Sequence, residues 1–354
     1  MSPPRLVVPP RRRSRTRRVL FAGCAFGLAW LLLEAGAGWT LARLEAAERP
    51  TSAAYARAPN WVSMTRFALA AGFFVGDPDC LWRTRPGFRY GLSEPTWGNK
   101  PVVVNEHGHR SPSMTLAKPP GVRRVMVLGG SQAFGMWAAD DETYSARLQV
   151  LLDAIAPDGW QVLNAASPGH TSFQALQYLI HHGLAFSPDV VVFDLGLNDA
   201  IPLTVEYARP DDEVQMMSRP TAAVLWIVGF SRVYRLLRRQ LGPVVGRSGE
   251  GGVRVPPERR DANLRAVGEL GAAHGFDVLY VSQVRVPSRR DGMASCVFRA
   301  DGFEPLLDVC ALFEAMGPGA GAHFADDSHA NASGHELIAE ALLARLQEAG
   351  SLPR

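Results

Sequence analysis

The run Val190-Val191-Val192-Phe193 contains no polar residue. A strand with one wet face alternates apolar and polar side chains. An unbroken run of this kind belongs to a strand covered on both faces, as in a parallel sheet packed between helices. Val125-Met126-Val127-Leu128 has the same character and runs into Gly129, Gly130 and Ser131. Around these two runs the chain alternates. Strands are expected at 124–128, 161–164, 189–195 and 277–281. Helices are expected at 173–186, 261–274 and 333–349, and on a face marked by Tyr144, Leu148, Leu151, Leu152 and Ile155. Ser333 and Glu336 are spaced as a capping box for the last helix. Alternating strands and helices predict an α/β domain over 121–354, with a central parallel sheet and helices on both sides. Before it, residues 43–120 are rich in Pro, Gly, Trp and Arg without sustained periodicity. They read as an irregular lead-in with short strands near 81–90 and 102–105.

The N-terminus has a different composition. Seven arginines lie within the first 18 residues, a basic tail, and without them the formal charge of +3 becomes about −4. The folded body is therefore not basic, which removes the main argument for nucleic-acid binding. Residues 19–42 are apolar apart from Glu34. As one helix they reach roughly 36 Å, enough to span a bilayer. Arginines before the span predict a signal anchor with its N-terminus inside and the body outside the cytoplasm. The alternative is an export signal that is cleaved. Arg17-Arg18 resembles a twin-arginine signal, and Ala35-Gly36-Ala37 a cleavage site. Cys24 as a lipoprotein cysteine is a third and weaker reading. Cys296 and Cys310 could bridge in such a compartment, and Cys80 has no evident partner. No Cys/His spacing suggests a metal, no Lys follows the glycines as a phosphate loop requires, and no cofactor is implied.

In open parallel sheets ligands sit outside the carboxyl ends of the strands, so the segments following each strand carry the chemistry. The first strand is followed by Gly129-Gly130-Ser131, the second by Ser167-Pro168-Gly169-His170, and the third by Gly196-Leu197-Asn198-Asp199. Asp326-Asp327-Ser328-His329 precedes the last helix. A serine hydroxyl needs an adjacent base to act as a nucleophile at neutral pH. His329 can be that base, and Asp326, three residues earlier, can hold its ring, with Asp327 the weaker choice. A tetrahedral intermediate needs donors at its oxyanion. The N–H groups of Ser131 and Gly169 and the amide of Asn198 are the candidates. Asp199 is expected to orient its loop rather than react. His170 is expected to be an exposed loop histidine, and His107, His109, His181 and His182 to be structural or surface residues.

Gly-Gly-Ser131, Gly169, Gly196-x-Asn198-Asp199 and Asp326-x-x-His329, in this order, resemble the four blocks of the SGNH (GDSL-type) hydrolases over about residues 123–350. The resemblance implies a flavodoxin-like three-layer fold and an esterase mechanism. It assigns Ser131, Asp326 and His329 to a catalytic triad and Ser131, Gly169 and Asn198 to an oxyanion hole. One position departs: Gly130 stands where the family's motif has an aspartate. The lead-in, Pro78–Pro86 and Asn105–Arg110, is similar to that of membrane-anchored bacterial members. The expected function is a serine esterase that removes acyl groups, acetyl among them, from an envelope carbohydrate or lipid. The alternatives are an O-acetyltransferase using the same triad and an inactive binding module. Loops 201–220 and 285–321 would set specificity, and 221–241 reads as a packed helix, with a lid or a membrane-surface helix as alternatives.

Overall fold

A computed structural model of the chain describes residues 15–47, 73–90, 100–202, 231–233, 236, 252–287 and 292–352. They fall into two compact units. The smaller, within Met1–Pro50 and Val224–Gly246, is dominated by helix α1 (Arg15–Ala47). Its stretch Val19–Thr40 is long and apolar enough to cross a membrane, and its apolar side chains are exposed. Glu34 interrupts that face; its carboxylate accepts from the Ser231 hydroxyl and, at 2.6 Å, from the Arg232 N–H. Of the helix expected over 221–241, only Ser231–Val233 and Leu236 lie among the described residues.

The larger unit holds a five-stranded parallel sheet, built of β5 (Arg123–Gly129), β6 (Trp160–Asn164), β7 (Val190–Asp194), β8 (Asp277–Val281) and β11 (Leu306–Leu307). The spatial order is β11-β8-β7-β5-β6, the flavodoxin-like arrangement. Each of the three long inner strands lies within a residue or two of its expectation. The two-residue edge strand β11 was not expected, because Leu306-Leu307 is too short to show a period.

The unbroken apolar runs divide between two cores. In β5, Val125 and Val127 pack with Leu148 and Leu152 of α3 (Tyr144–Ile155) and Leu342 and Leu346 of α7 (Ala332–Glu348). Met126 and Leu128 point the other way. They pack with Leu176 and Leu179 of α4 (Ser172–His181) and Leu264 and Val267 of α5 (Pro257–His274). A strand wet on one face could not carry both sets.

Three local expectations are corrected. Helix α7 is capped by Asn331, not Ser333: the extended backbone at Asn331 lets its side chain accept from the N–H groups of Ser333 and Gly334. The helix expected to run to Phe186 ends at His181, and a 3-10 turn, Gly183–Phe186, follows. Helix α5 begins at Pro257, where a missing N–H costs nothing.

The lead-in is built from two antiparallel pairs, β1 (Phe74–Asp77) with β2 (Leu81–Thr84) and β3 (Arg89–Tyr90) with β4 (Val102–Val103). It is stapled to the sheet by buried arginines. Arg124 donates to the carbonyls of Thr115, Leu116 and Phe186. Arg110 donates to Phe134 O, Gly135 O, Ala138 O and the Asp140 carboxylate, at 2.7 to 3.2 Å. The hairpin β9 (Gln283–Arg285)–β10 (Ser295–Phe298) leads to α6 (Val309–Glu314), and a Cys296–Cys310 disulfide joins the two. Cys80 is a buried free thiol.

Candidate active site

Strand β5 passes between β6 and β7, so the chain leaves its carboxyl end at the point where strand order reverses. There Gly130 caps a single turn of helix, α2 (Ser131–Phe134), and Ser131 is its first residue. Gly129 and Asp194 are paired in register, so the ends of β5 and β7 lie level. The segments carrying Ser131 and Asn198 therefore start side by side.

The last block reaches the same place. Ser131 Oγ lies 2.8 Å from His329 Nε2. His329 Nδ1 lies 2.9 and 2.8 Å from Asp326 Oδ1 and Oδ2. A carboxylate at Nδ1 fixes the ring as the Nδ1–H tautomer, which leaves the Nε2 lone pair facing the serine. Burial works to raise the Asp326 pKa. The hydrogen bond and charge of His329 and the N–H groups of Ser328 and His329 outweigh it, so the carboxyl is held well below the usual range. Asp327 points away and pairs with Arg285 at the surface.

Gly169 has φ +83, a conformation that favours glycine. Its carbonyl is held by Arg254 Nη1 at 2.9 Å. Asn198 Nδ2 donates to His170 O at 2.9 Å, which fixes the amide and leaves its second N–H free to serve another acceptor. Asp199 is buried, and its Oδ1 accepts from the Ser172 N–H and hydroxyl. Burial pushes its pKa up to about 7.

Gly130 sits close against the Asn198 side chain. A Cβ at this position would lie 2.5 Å from Asn198 Nδ2. The aspartate of the family's motif would displace the amide from where it sits here.

The expectation for His170 is overturned. It is buried, packed against Trp82, and its Nε2 meets the Trp82 carbonyl at 2.8 Å. Burial drives its pKa down to about 4, so it is neutral. The cause is the lead-in hairpin β1–β2, which covers this loop: Trp82 Nε1 donates to Pro168 O, and Gln174 Nε2 to Cys80 O. His109 is likewise buried, against Tyr178, at 2.6 Å. His107 bonds Met114 O, and His182 lies 3.1 Å from Asp77.

Several residues here gave no signal in the sequence. Gln132 Nε2 donates to Ser328 O at 2.6 Å and to Val284 O at 3.2 Å. Trp137 Nε1 donates to Asp326 Oδ2 at 2.8 Å. Asn164 Nδ2 donates to Ala133 O and the Ser145 hydroxyl. Each acts across a long sequence separation, where no periodicity or spacing can reveal it.

Ligand atoms of Asp77, Cys80 and His182 lie within 4.8 Å of one another, close enough for a metal. Their chemistry does not suit one. Asp77 Oδ1 accepts from the N–H groups of Asp79 and Cys80, and Oδ2 meets Arg83 and His182. Burial and the neighbouring carboxylate raise the Cys80 thiol, the reverse of what a thiolate ligand needs. The cluster reads as a latch of the hairpin.

The sequence profile of the GDSL-like lipase/acylhydrolase family matches residues 127–337. No protein of curated function matches the chain. Among solved structures, an α/β hydrolase from a lake metagenome, LAE5, is 19% identical over 64% of this chain and 95% of its own, with a TM-score of 0.40. TesA shares 19% identity over 64% of this chain and 99% of its own, at 0.40. A catalytic mutant of the acetylxylan esterase Axe2 from Geobacillus stearothermophilus shares 17% over 65% and 96%, at 0.41.

Proposed function

Because the chain belongs to the GDSL-like lipase/acylhydrolase family, whose members hydrolyse carboxylic esters, we propose that it is a serine esterase using Ser131, His329 and Asp326. The observation that carries this reading is the unbroken line from Ser131 Oγ through His329 to Asp326, with contacts of 2.8 to 2.9 Å.

His329 Nε2 takes the Ser131 proton as Oγ attacks the acyl carbonyl carbon. Asp326 keeps the ring oriented and stabilises the imidazolium. The oxyanion is met by the N–H groups of Ser131 and Gly169 and by the free N–H of Asn198. Collapse expels the alcohol, which takes its proton from His329, and leaves an acyl group on Ser131. Water, deprotonated by the same imidazole, then releases the acid.

The proposed substrate is an acyl ester, acetyl among them, on an envelope carbohydrate or lipid, met outside the cytoplasm. The basic N-terminal tail before the apolar helix supports an N-terminus held inside. The Cys296–Cys310 disulfide fits an oxidising compartment.

Ser131→Ala is expected to abolish turnover of nitrophenyl acetate and labelling by a fluorophosphonate probe, with an unchanged melting curve. Asn198→Ala is expected to lower kcat by about 10²–10³. Undiminished turnover by the Ser131 variant would sink the assignment.

A further inference from the structure

We propose that Trp137 is a positioning residue of the acid–base pair, holding the Asp326 carboxylate from the nucleophile's own loop; the inference rests on the triad reading above. The two oxygens of Asp326 are served differently. Oδ1 accepts from the N–H groups of Ser328 and His329, at 2.9 and 2.8 Å, both on its own loop, and lies 2.9 Å from His329 Nδ1. Oδ2 faces His329 Nδ1 and the Trp137 indole N–H, each at 2.8 Å. That indole comes from 189 residues earlier in the chain.

The backbone is shaped to deliver it. Trp137 has φ +69, a region that a bulky side chain enters only where its surroundings hold it. The turn that places it starts at the nucleophile: Met136 N–H donates to Ser131 O, and Ala138 N–H to Gly135 O. Arg110 then holds Ala138 O at 2.7 Å. The ring packs half-buried against the core, and its N–H needs a partner there. The partner it has is Asp326 Oδ2, whereas the backbone donors Ser328 N–H and His329 N–H both serve Oδ1.

Two effects follow for His329. The indole fixes the plane of the carboxylate, so Oδ2 stays in line with Nδ1. It also draws on the negative charge of Oδ2, the charge that would face an imidazolium formed during the reaction. The other titratable or charged groups around His329 are Asp327 on its own loop, Arg285 of β9 paired with Asp327, and His335 of α7. Asp194 of β7 lies beyond Ser328, hydrogen-bonded to Tyr144 and Gln283. Burial takes His335 down to about 3, so it is neutral. Replacing Trp137 alters none of these.

The experiment is a cycle of Trp137→Phe, Asp326→Asn and the double variant in the full chain, with kcat, KM and the pH profile of kcat/KM measured on nitrophenyl acetate. Trp137→Phe is expected to lower kcat about tenfold at near-unchanged KM. It should also move the acid limb of kcat/KM upward by about half a pH unit. In the Asp326→Asn background the same change should cost less than about twofold, because its target is already gone. A Trp137→Phe enzyme with wild-type kcat and acid limb overturns the inference. So does a double variant whose losses multiply, which would mark a merely structural tryptophan. Melting curves come first, and if the Phe variant unfolds at assay temperature, Trp137→Met, apolar and without a donor N–H, takes its place in the cycle. Ser131→Ala run alongside separates the failures. A live Ser131 variant brings down the triad reading itself, whereas a dead one beside a silent Trp137→Phe brings down only the role of Trp137.

Discussion

The two loops that meet at the Ser131–His329 hydrogen bond are held in opposite ways. The loop of Asp326 and His329 is held mainly by its own residues, with Trp137 and Gln132 adding contacts from the other loop: Asp326 Oδ1 binds the N–H groups of Ser328 and His329, and Asn331 caps the helix that follows. The loop of Ser131 is held from outside. Its carbonyls at Phe134, Gly135 and Ala138 are gripped by Arg110 of the lead-in, that of Ala133 by Asn164, and its Gln132 reaches across to Ser328 O. A self-bonded loop can be recognised in three or four consecutive residues. A loop held from outside depends on residues that can lie anywhere in the chain, so damage to it can be inflicted from a distance.

Arg110→Ala is the strongest way to break the contrast. It removes four hydrogen bonds and leaves the Asp140 carboxylate with the Val103 N–H, for an expected loss of about 2 kcal/mol in denaturant unfolding together with lost turnover. Unchanged stability would mean that the lead-in merely touches the loop. Next is Gly130→Asp, which restores the family's motif. The incoming Cβ would meet Asn198 Nδ2, so kcat should fall on the order of 10² rather than rise. A variant as active as the parent would show that the amide yields freely.

The third loop, of Asn198, sharpens the picture through pH. Burial raises Asp199 to about 7, so the folded state holds a proton that the unfolded state releases near 4. Stability contributed by that proton is complete below the unfolded value and is lost as pH rises through the folded one. Asp199→Asn should therefore gain on the wild type by about 1 kcal/mol per unit between pH 4 and 7. A constant gap in melting temperature across that window would refute the burial argument. The smallest effect is expected at the self-held loop. Arg285 and Asp327 are both partly exposed, so Arg285→Ala should change stability by less than about 1 kcal/mol and leave kcat alone. A tenfold loss of kcat there would show that this loop too is held from outside.

The same contrast explains what could be read from the sequence. The inner strands were legible because Val125–Leu128 and Val190–Phe193 are apolar without interruption, and only a strand covered on both faces tolerates that. Ser131, Gly169, Asn198, Asp326 and His329 were legible because each follows a strand or precedes a helix. His170 was misread because its neighbours are loop residues. What buries it is Trp82, 88 positions away, from a region without periodicity. Ser333 was preferred to Asn331 as a cap because the Ser-x-x-Glu spacing is a visible pattern. The choice between them is made by the backbone angle at Asn331, which the sequence does not display. Arg110, Gln132 and Trp137 act through single contacts to carbonyls and one carboxylate, and such contacts leave no mark in local composition.

Shortly after Asn198, Pro202 pairs with Val253 as an antiparallel bridge. Beside them Arg254 N–H donates to Ile201 O and Val255 N–H to Asp199 O. Two distant stretches of the chain are thus tied together just after Asn198. The backbone beside the Asn198 amide borrows its shape from residues far along the chain.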